Sequence, residues 1–106
     1  MNSTIKFAKK TLINNRRSNY TLPTNTKLYP AQWNWDSAFI ALGYSNFNLN
    51  YTFKEIKTLI SGQWDDGMIP HILFHIKDLN YTPNYKAWNC GKKISSSGIT
   101  QPPILA

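Results

Sequence analysis

Tyr29-Pro30-Ala31-Gln32-Trp33-Asn34-Trp35-Asp36-Ser37 sets two indoles around one asparagine and follows them with a carboxylate. Indole faces suit the C–H faces of a sugar ring, and a neighbouring carboxylate accepts hydrogen bonds from hydroxyls. A site built to bond hydroxyls also rejects ligands that lack them, because its polar groups would be left unpaired. The same stretch fits two core tryptophans, since Trp is highly buried on average. Taken alone it favours the core reading, and the surrounding chain has to decide.

Immediately downstream, Trp35, Ala38, Phe39 and Leu42 follow the i, i+3, i+4, i+7 spacing of an amphipathic helix. Asn34 is its candidate N-cap, and Gly43 its candidate end in the left-handed conformation. Trp33 and Asn34 then stand at the helix mouth, with Trp35 and Asp36 in the first turn. A carboxylate there also complements the helix dipole. Upstream, Ile5, Ala8 and Leu12 predict a helix over 4–15, ended by Asn14-Asn15 and Arg16-Arg17. Residues 18–32, with Pro23 and Pro30, read as an irregular polar connection without a strand.

A third helix is expected from Thr52. Thr52-Phe53-Lys54-Glu55 has the form of a capping box, Phe53, Ile56, Leu59 and Ile60 make an apolar stripe, and Gly62 stops it. Next, Gly62-Gln63-Trp64-Asp65-Asp66-Gly67-Met68-Ile69-Pro70-His71 reads as a compact loop presenting Gln63, Trp64, Asp66 and His71, with Gly67 after two aspartates marking a tight turn. The run 72–76 is short and apolar, compatible with strand or helix. Residues 80–89 are turn-rich. Ser95-Ser96-Ser97-Gly98 leads to Gln101, and Pro102-Pro103 resembles the opening of a fourth helix.

Composition bounds the partners. The 106 residues make one small domain and not two. The net charge of +7 comes from 12 basic and 5 acidic residues, and a basic chain attracts phosphate backbones. Its basic residues nevertheless fall in short pairs (Lys9-Lys10, Arg16-Arg17, Lys92-Lys93), and Asp36, Glu55, Asp65 and Asp66 crowd the aromatic middle, so no nucleic-acid partner is expected. Cys90 is the single cysteine, which excludes an intrachain disulfide and favours a reducing compartment. With no signal-peptide core and no apolar run of membrane-spanning length, the expectation is a soluble cytoplasmic chain with no membrane partner.

Chemistry is harder to find. His71 and His75 are four apart, one helical turn, but Ile72 stands where a zinc helix carries its general base, and no third ligand is evident. Neither a metal nor a cofactor is expected. Asp65 and Asp66 are adjacent turn residues, whereas glycoside hydrolysis needs two carboxyl groups on opposite sides of the bond, roughly 5 to 10 Å apart. Asp36 with Asp66 would straddle a sugar if their loops converge. What remains is helix, aromatic and polar loop, helix: a sugar-binding rim on a helical scaffold.

Three stretches, Tyr-Pro-Ala-Gln-Trp-Asn-Trp-Asp-Ser-Ala-Phe (29–39), Gly-Gln-Trp-Asp-Asp-Gly-Met-Ile-Pro-His (62–71) and Ser-Gly-Ile-Thr-Gln-Pro-Pro (97–103), carry a resemblance in that order. The chain from about Ala8 onward resembles the N-terminal part of the (α/α)6-toroid domain of glycoside hydrolase family 63-like enzymes, in particular the mannosylglycerate hydrolase and glucosidase-like branch. The resemblance implies an all-α fold: a partial six-hairpin toroid with only the first helices present, residues 1–106 being a fragment of the catalytic domain. It implies an inverting α-glycoside hydrolase acting on a glucoside, mannoside or mannosylglycerate. Tyr29, Trp33, Trp35, Asp36 and Gln101 would line the sugar subsite, with Trp64 and His71 at or just behind its rim. The general acid and base would lie beyond residue 106, leaving no catalytic residue in this chain. Its partners would be the carbohydrate and the remainder of the toroid, without which the chain is expected to fold poorly, since each toroid helix needs a neighbour over its apolar face. A stand-alone carbohydrate-binding or interaction module is the alternative.

Overall fold

The computed structural model describes residues 2–24 and 27–106. The elements run α1 (Ser3–Asn14), β1 (Gln32–Trp33), α2 (Asn34–Tyr44), α3 (Leu49–Ile60), β2 (Ile72–Leu73) and α4 (Tyr85–Trp88). The chain is therefore mostly helical rather than all-α. Gln32, the last residue of the predicted irregular connection, opens a two-residue strand with Trp33, and residues 25–26 lie outside the described residues. No helix among the described residues is long and apolar enough to cross a membrane.

Helix boundaries follow side-chain caps. Asn2 accepts from the Thr4 N–H at 2.7 Å to open α1, and Asn15 closes it, close to the predicted end. Helix α3 starts three residues before Thr52, because the Asn48 side chain accepts from the Tyr51 N–H at 3.1 Å and supplies the N-cap. The capping box at Thr52 is thus not formed. Thr52 lies inside the helix and donates to the Ala41 carbonyl, while Glu55 points into the interior. Helix α2 starts at Asn34, with Trp33 rather than Asn34 as N-cap, and it runs past Gly43 to Tyr44. Gly43 serves close packing instead, since a Cβ there would stand 3.1 Å from Leu12. Pro102-Pro103 open no helix; the chain makes a turn at 104–105.

Packing turns the helices differently from their apolar stripes. In α2 the buried residues are Asn34, Ser37, Ala41 and Tyr44, while Phe39 and Leu42 are 55% and 66% exposed. In α3, Thr52, Glu55 and Leu59 are buried, and Phe53 and Ile60 are exposed. Helix α1 buries no residue fully. The α2–α3 interface therefore mixes polar Ser37, Thr52 and Glu55 with Ala41, Tyr44 and Leu59, while Phe39, Leu42, Phe53 and Ile60 stay exposed.

The core sits beside this hairpin. Strands β1 and β2 pair antiparallel, Gln32 opposite Leu73 and Trp33 opposite Ile72. On the other flank of β2, the Ser97 N–H donates to the Ile72 carbonyl (3.1 Å) and the Phe74 N–H to the Ser95 carbonyl (2.8 Å). Ala31, Trp33, Ile72 and Phe74 cluster there, covered by Tyr81, Tyr85 and Trp88. Gly62 makes the return from α3 possible, because a Cβ at that position would lie 2.3 Å from a methyl of fully buried Leu73.

Candidate functional site

Five of the predicted residues come together. Tyr29, Trp33, Trp35, Asp36 and Gln101, joined by Pro23, line a hollow of about 280 Å³ at the start of α2. Strand β1 fixes Trp33 by its ladder to Ile72, and the Tyr29 ring meets its indole edge-on with centroids 5.2 Å apart. Tyr81 adds a second edge-on contact to Trp33 at 5.1 Å. Trp33 is therefore 7% exposed and acts as a wall, whereas Trp35, on the first turn of α2, is 41% exposed and offers its ring.

Helix α2 lacks a side-chain cap of its own. Gln101, 66 residues away in sequence, fills the role: its Oε1 accepts from the Trp35 N–H at 3.0 Å. With the oxygen committed to the helix, the Gln101 amide NH2 is the group left to donate. Asp36 supplies the acceptor. Burial pushes its carboxyl up from the usual carboxylate value, against the opposing pull of its own backbone N–H and of the Trp35 side chain. The hollow thus pairs one amide donor with one carboxylate between aromatic walls.

Trp64 and His71 stand apart from these five. Trp64 donates its indole N–H to Ser96 Oγ at 3.2 Å and lines a different cavity. His71 works mostly through its backbone: its carbonyl accepts from the Asn34 N–H (2.9 Å) and its N–H donates to the Ile99 carbonyl (2.8 Å). Its Nδ1 pairs with Ser97 Oγ, and its ring meets Trp88 edge-on. Burial lowers the His71 pKa below the ordinary histidine value, partly offset by the Ile99 contact. His71 holds the mouth of α2 in place from behind.

His71 and His75 do not share a helical face, because β2 lies between them. Among the described residues no group of three His, Cys, Asp or Glu side chains is placed to hold a metal ion. Asp65 and Asp66 are turn-formers, Asp66 Oδ1 accepting from the Met68 N–H at 3.0 Å across a turn whose Gly67 has φ +96°. Asp66 lines the Trp64 cavity rather than the hollow, so it does not face Asp36 across a ligand. Cys90 lies partly buried, its thiol on the Trp88 carbonyl.

Sequence reasoning missed the buried layer beneath the hollow. Gln32 is fully buried, and its Nε2 donates to Ser37 Oγ (3.0 Å) and to the Glu55 carbonyl (3.2 Å). That leaves its Oε1 to accept from His75 Nε2–H at 2.8 Å, and burial lowers the His75 pKa below the ordinary histidine value. Ser37 Oγ donates to Glu55 Oε1, and Glu55 also bonds Thr21. Burial raises the Glu55 carboxyl from 4.5 to about 7, with the hydrogen bonds from Ser37 and Thr21 and the charge of Arg16 opposing. Gln32 and Ser37 belong to the stretch that builds the hollow, so the network underlies it directly. The one signal for it in the sequence is the i, i+3, i+7 spacing of Thr52, Glu55 and Leu59.

Residues 29–106 match the family model of the mannosylglycerate hydrolase MGH1-like glycoside hydrolase domain. The chain belongs to this glycoside hydrolase family. Mannosylglycerate hydrolase MGH2 of Selaginella moellendorffii is 42% identical over 103 residues, covering 96% of this chain and 21% of the relative. Glucosylglycerate hydrolase of Mycolicibacterium hassiacum is 41% identical over 86 residues, covering 74% and 19% respectively. The solved GH63 mannosylglycerate hydrolase of Thermus thermophilus, in complex with Tris and D-glycerate, superposes with a TM-score of 0.80 at 41% identity, covering 92% of this chain and 22% of that one. The chain thus spans about a fifth of the length of these family members, and the hollow falls wholly within the matched residues except for Pro23.

Proposed function

We propose that this chain supplies the sugar-binding hollow of an inverting α-glycoside hydrolase whose substrate is a hexose joined to glycerate. The observation that carries the reading is the convergence of Tyr29, Trp33, Trp35, Asp36 and Gln101, drawn from 73 positions of sequence, onto one hollow. Trp35 stacks on the ring, Trp33 and Tyr29 limit its reach, Asp36 accepts from hydroxyls and the Gln101 amide donates to them. The names of the relatives supply the glycosyl-glycerate class.

Hydrolysis by this route needs two carboxyl groups flanking the bond. The hollow holds one, Asp36, and Glu55 lies sealed below it. On the family resemblance, both the acid and the base are assigned to residues outside this chain, with Asp36 serving the sugar hydroxyls. Residues 1–106 would be one sector of an (α/α)6 toroid, with the remainder as partner. The outward apolar residues of α2 and α3 support that placement, since Phe39, Leu42 and Phe53 are each more than half exposed and would be covered by a further helix layer. A binding module acting alone is the second reading, favoured by the completeness of the hollow within one short chain.

Calorimetric titration of the chain with mannosylglycerate and glucosylglycerate tests the proposal. Saturable binding lost in Trp35→Ala and in Gln101→Ala supports it, and absence of binding by the folded chain defeats it. Release of free hexose by the chain alone would overturn the assignment of the acid and base elsewhere.

A further inference from the structure

The largest motif the hollow leaves unused is the loop around Trp64. Between residues 62–66 and 90–93 lies a separate cavity of about 370 Å³, sharing no lining residue with the hollow at α2. That volume lies in the range of small-molecule sites, roughly 300 to 1,000 Å³.

Both walls are fixed. The Trp64 N–H donates to the Met68 carbonyl (2.8 Å), the Gly67 N–H donates back to the Trp64 carbonyl (2.9 Å), and Gln63 Nε2 donates to the Gly67 carbonyl (2.8 Å). Opposite, Gly91 turns the chain at φ +87°, where a Cβ would collide with the Ile94 carbonyl. The Ser96 N–H donates to the Cys90 carbonyl at 3.0 Å, and Ser96 Oγ takes the Trp64 indole N–H, so one bond joins the two walls. With its N–H engaged, Trp64 offers the cavity only ring carbon.

The charges decide the ligand class. Asp65 and Asp66 line one wall, Lys92 and Lys93 the other, so the lining carries no net charge. A cavity of that kind selects neither an anion nor a cation. Its carboxylates accept from hydroxyls, its ammonium groups donate to them, and its indole carbon suits an aliphatic C–H face. The Lys92–Asp65 ion pair at 3.2 Å is highly exposed on both sides, so little stability opposes its opening to a ligand. An uncharged hexose ring satisfies all three features.

We infer that the cavity between Trp64 and Lys92-Lys93 is a second sugar-ring site, with Trp64 as its platform and Asp65 and Lys93 as hydroxyl partners. The class of ligand rests on the proposed function, but the site stands or falls separately.

The test is nuclear magnetic resonance of the four tryptophan indole N–H groups of the ¹⁵N-labelled chain, titrated with methyl α-mannoside or glucose. The expected result is a saturable shift of the Trp64 resonance that persists in Trp35→Ala. It should weaken by at least about tenfold in Asp65→Asn/Lys93→Met, which removes the Lys93 hydrogen bond and makes the Asp65 one neutral. Both substituted residues are exposed, so that variant keeps its fold. A shift at Trp35 but not at Trp64 overturns the second site and leaves the proposed function intact. Loss of the Trp64 shift in Trp35→Ala, or no change in the double variant, also overturns it. A shift at Trp64 with none at Trp35 supports the second site while defeating the proposed function, and silence at both defeats both.

Discussion

Ser37 Oγ donates to Glu55 Oε1 at 2.7 Å, and this buried bond ties the helix that carries Trp35 and Asp36 to its neighbour α3. Glu55 is 1% exposed, and its carboxyl is raised to about 7 mainly by burial. Because the native state holds this proton more tightly than the unfolded chain, the Glu55 contribution is fully present below pH 4.5 and is lost as pH rises through 7. The integrated loss approaches about 3 kcal/mol. His71 and His75, lowered by burial, act with opposite sign and destabilise as pH falls below the ordinary histidine value. The Glu55 effect is therefore read as a difference: urea unfolding of wild type and Glu55→Gln from pH 4 to pH 8 should diverge between about pH 4.5 and 7, with wild type losing relative stability across that window and levelling off above it. Parallel profiles would refute this.

Gly62→Ala should destabilise by about 1–3 kcal/mol, the usual cost of overpacking. The new methyl meets the side chain of Leu73, which is fully buried and has no room to swing away. In a Leu73→Ala background the same change should cost much less, a coupling that a double-mutant cycle of denaturation midpoints measures.

Gln101→Ala removes the acceptor that caps α2 from a distance. The expected loss is about 1 kcal/mol of stability, as for other cap deletions, together with weaker sugar binding, because the same side chain does both. Thermal denaturation and calorimetry on one sample separate the two losses.

Ser97→Ala takes away the hydroxyl that accepts from the Ile72 N–H at 3.2 Å and pairs with His71 Nδ1. Leaving these groups unpaired in a buried setting should cost about 1–3 kcal/mol. Proton exchange at the Ile72 amide should quicken before global unfolding does.

Helices α1 to α3 were legible because apolar spacing reports helical period, and that period is local. The faces were not. Trp35, Phe39 and Leu42 make the obvious stripe of α2, yet the side that packs on α3 is Ser37, Ala41 and Tyr44. Hydrophobicity identifies a covered face only when the covering element is at hand. The capping box at Thr52 failed for a related reason: Asn48 offered a cap one turn earlier, and Glu55 gained partners in Ser37 and Thr21 that no local pattern reveals. The two-residue strands are too short for any alternation to show. Within the site, the Trp33–Asp36 segment was evident from composition, and Gln101 through the family resemblance. The same resemblance sets Trp64 at or just behind the rim; its indole bonds Ser96 and lines the neighbouring cavity.

The bond from Trp35 to Gln101 also bears on the order in which the chain folds. It closes 66 residues of chain, while α2 and α3 are joined by a short turn and meet early. Closing a longer loop costs more entropy, though only logarithmically, so this contact is expected to form after the local α2–α3 pairing. The hollow is then expected to close late in folding. A sugar that engages Trp35 and Gln101 together would act as a clasp on that closure, and its binding would register as slower local opening of the chain near residue 101.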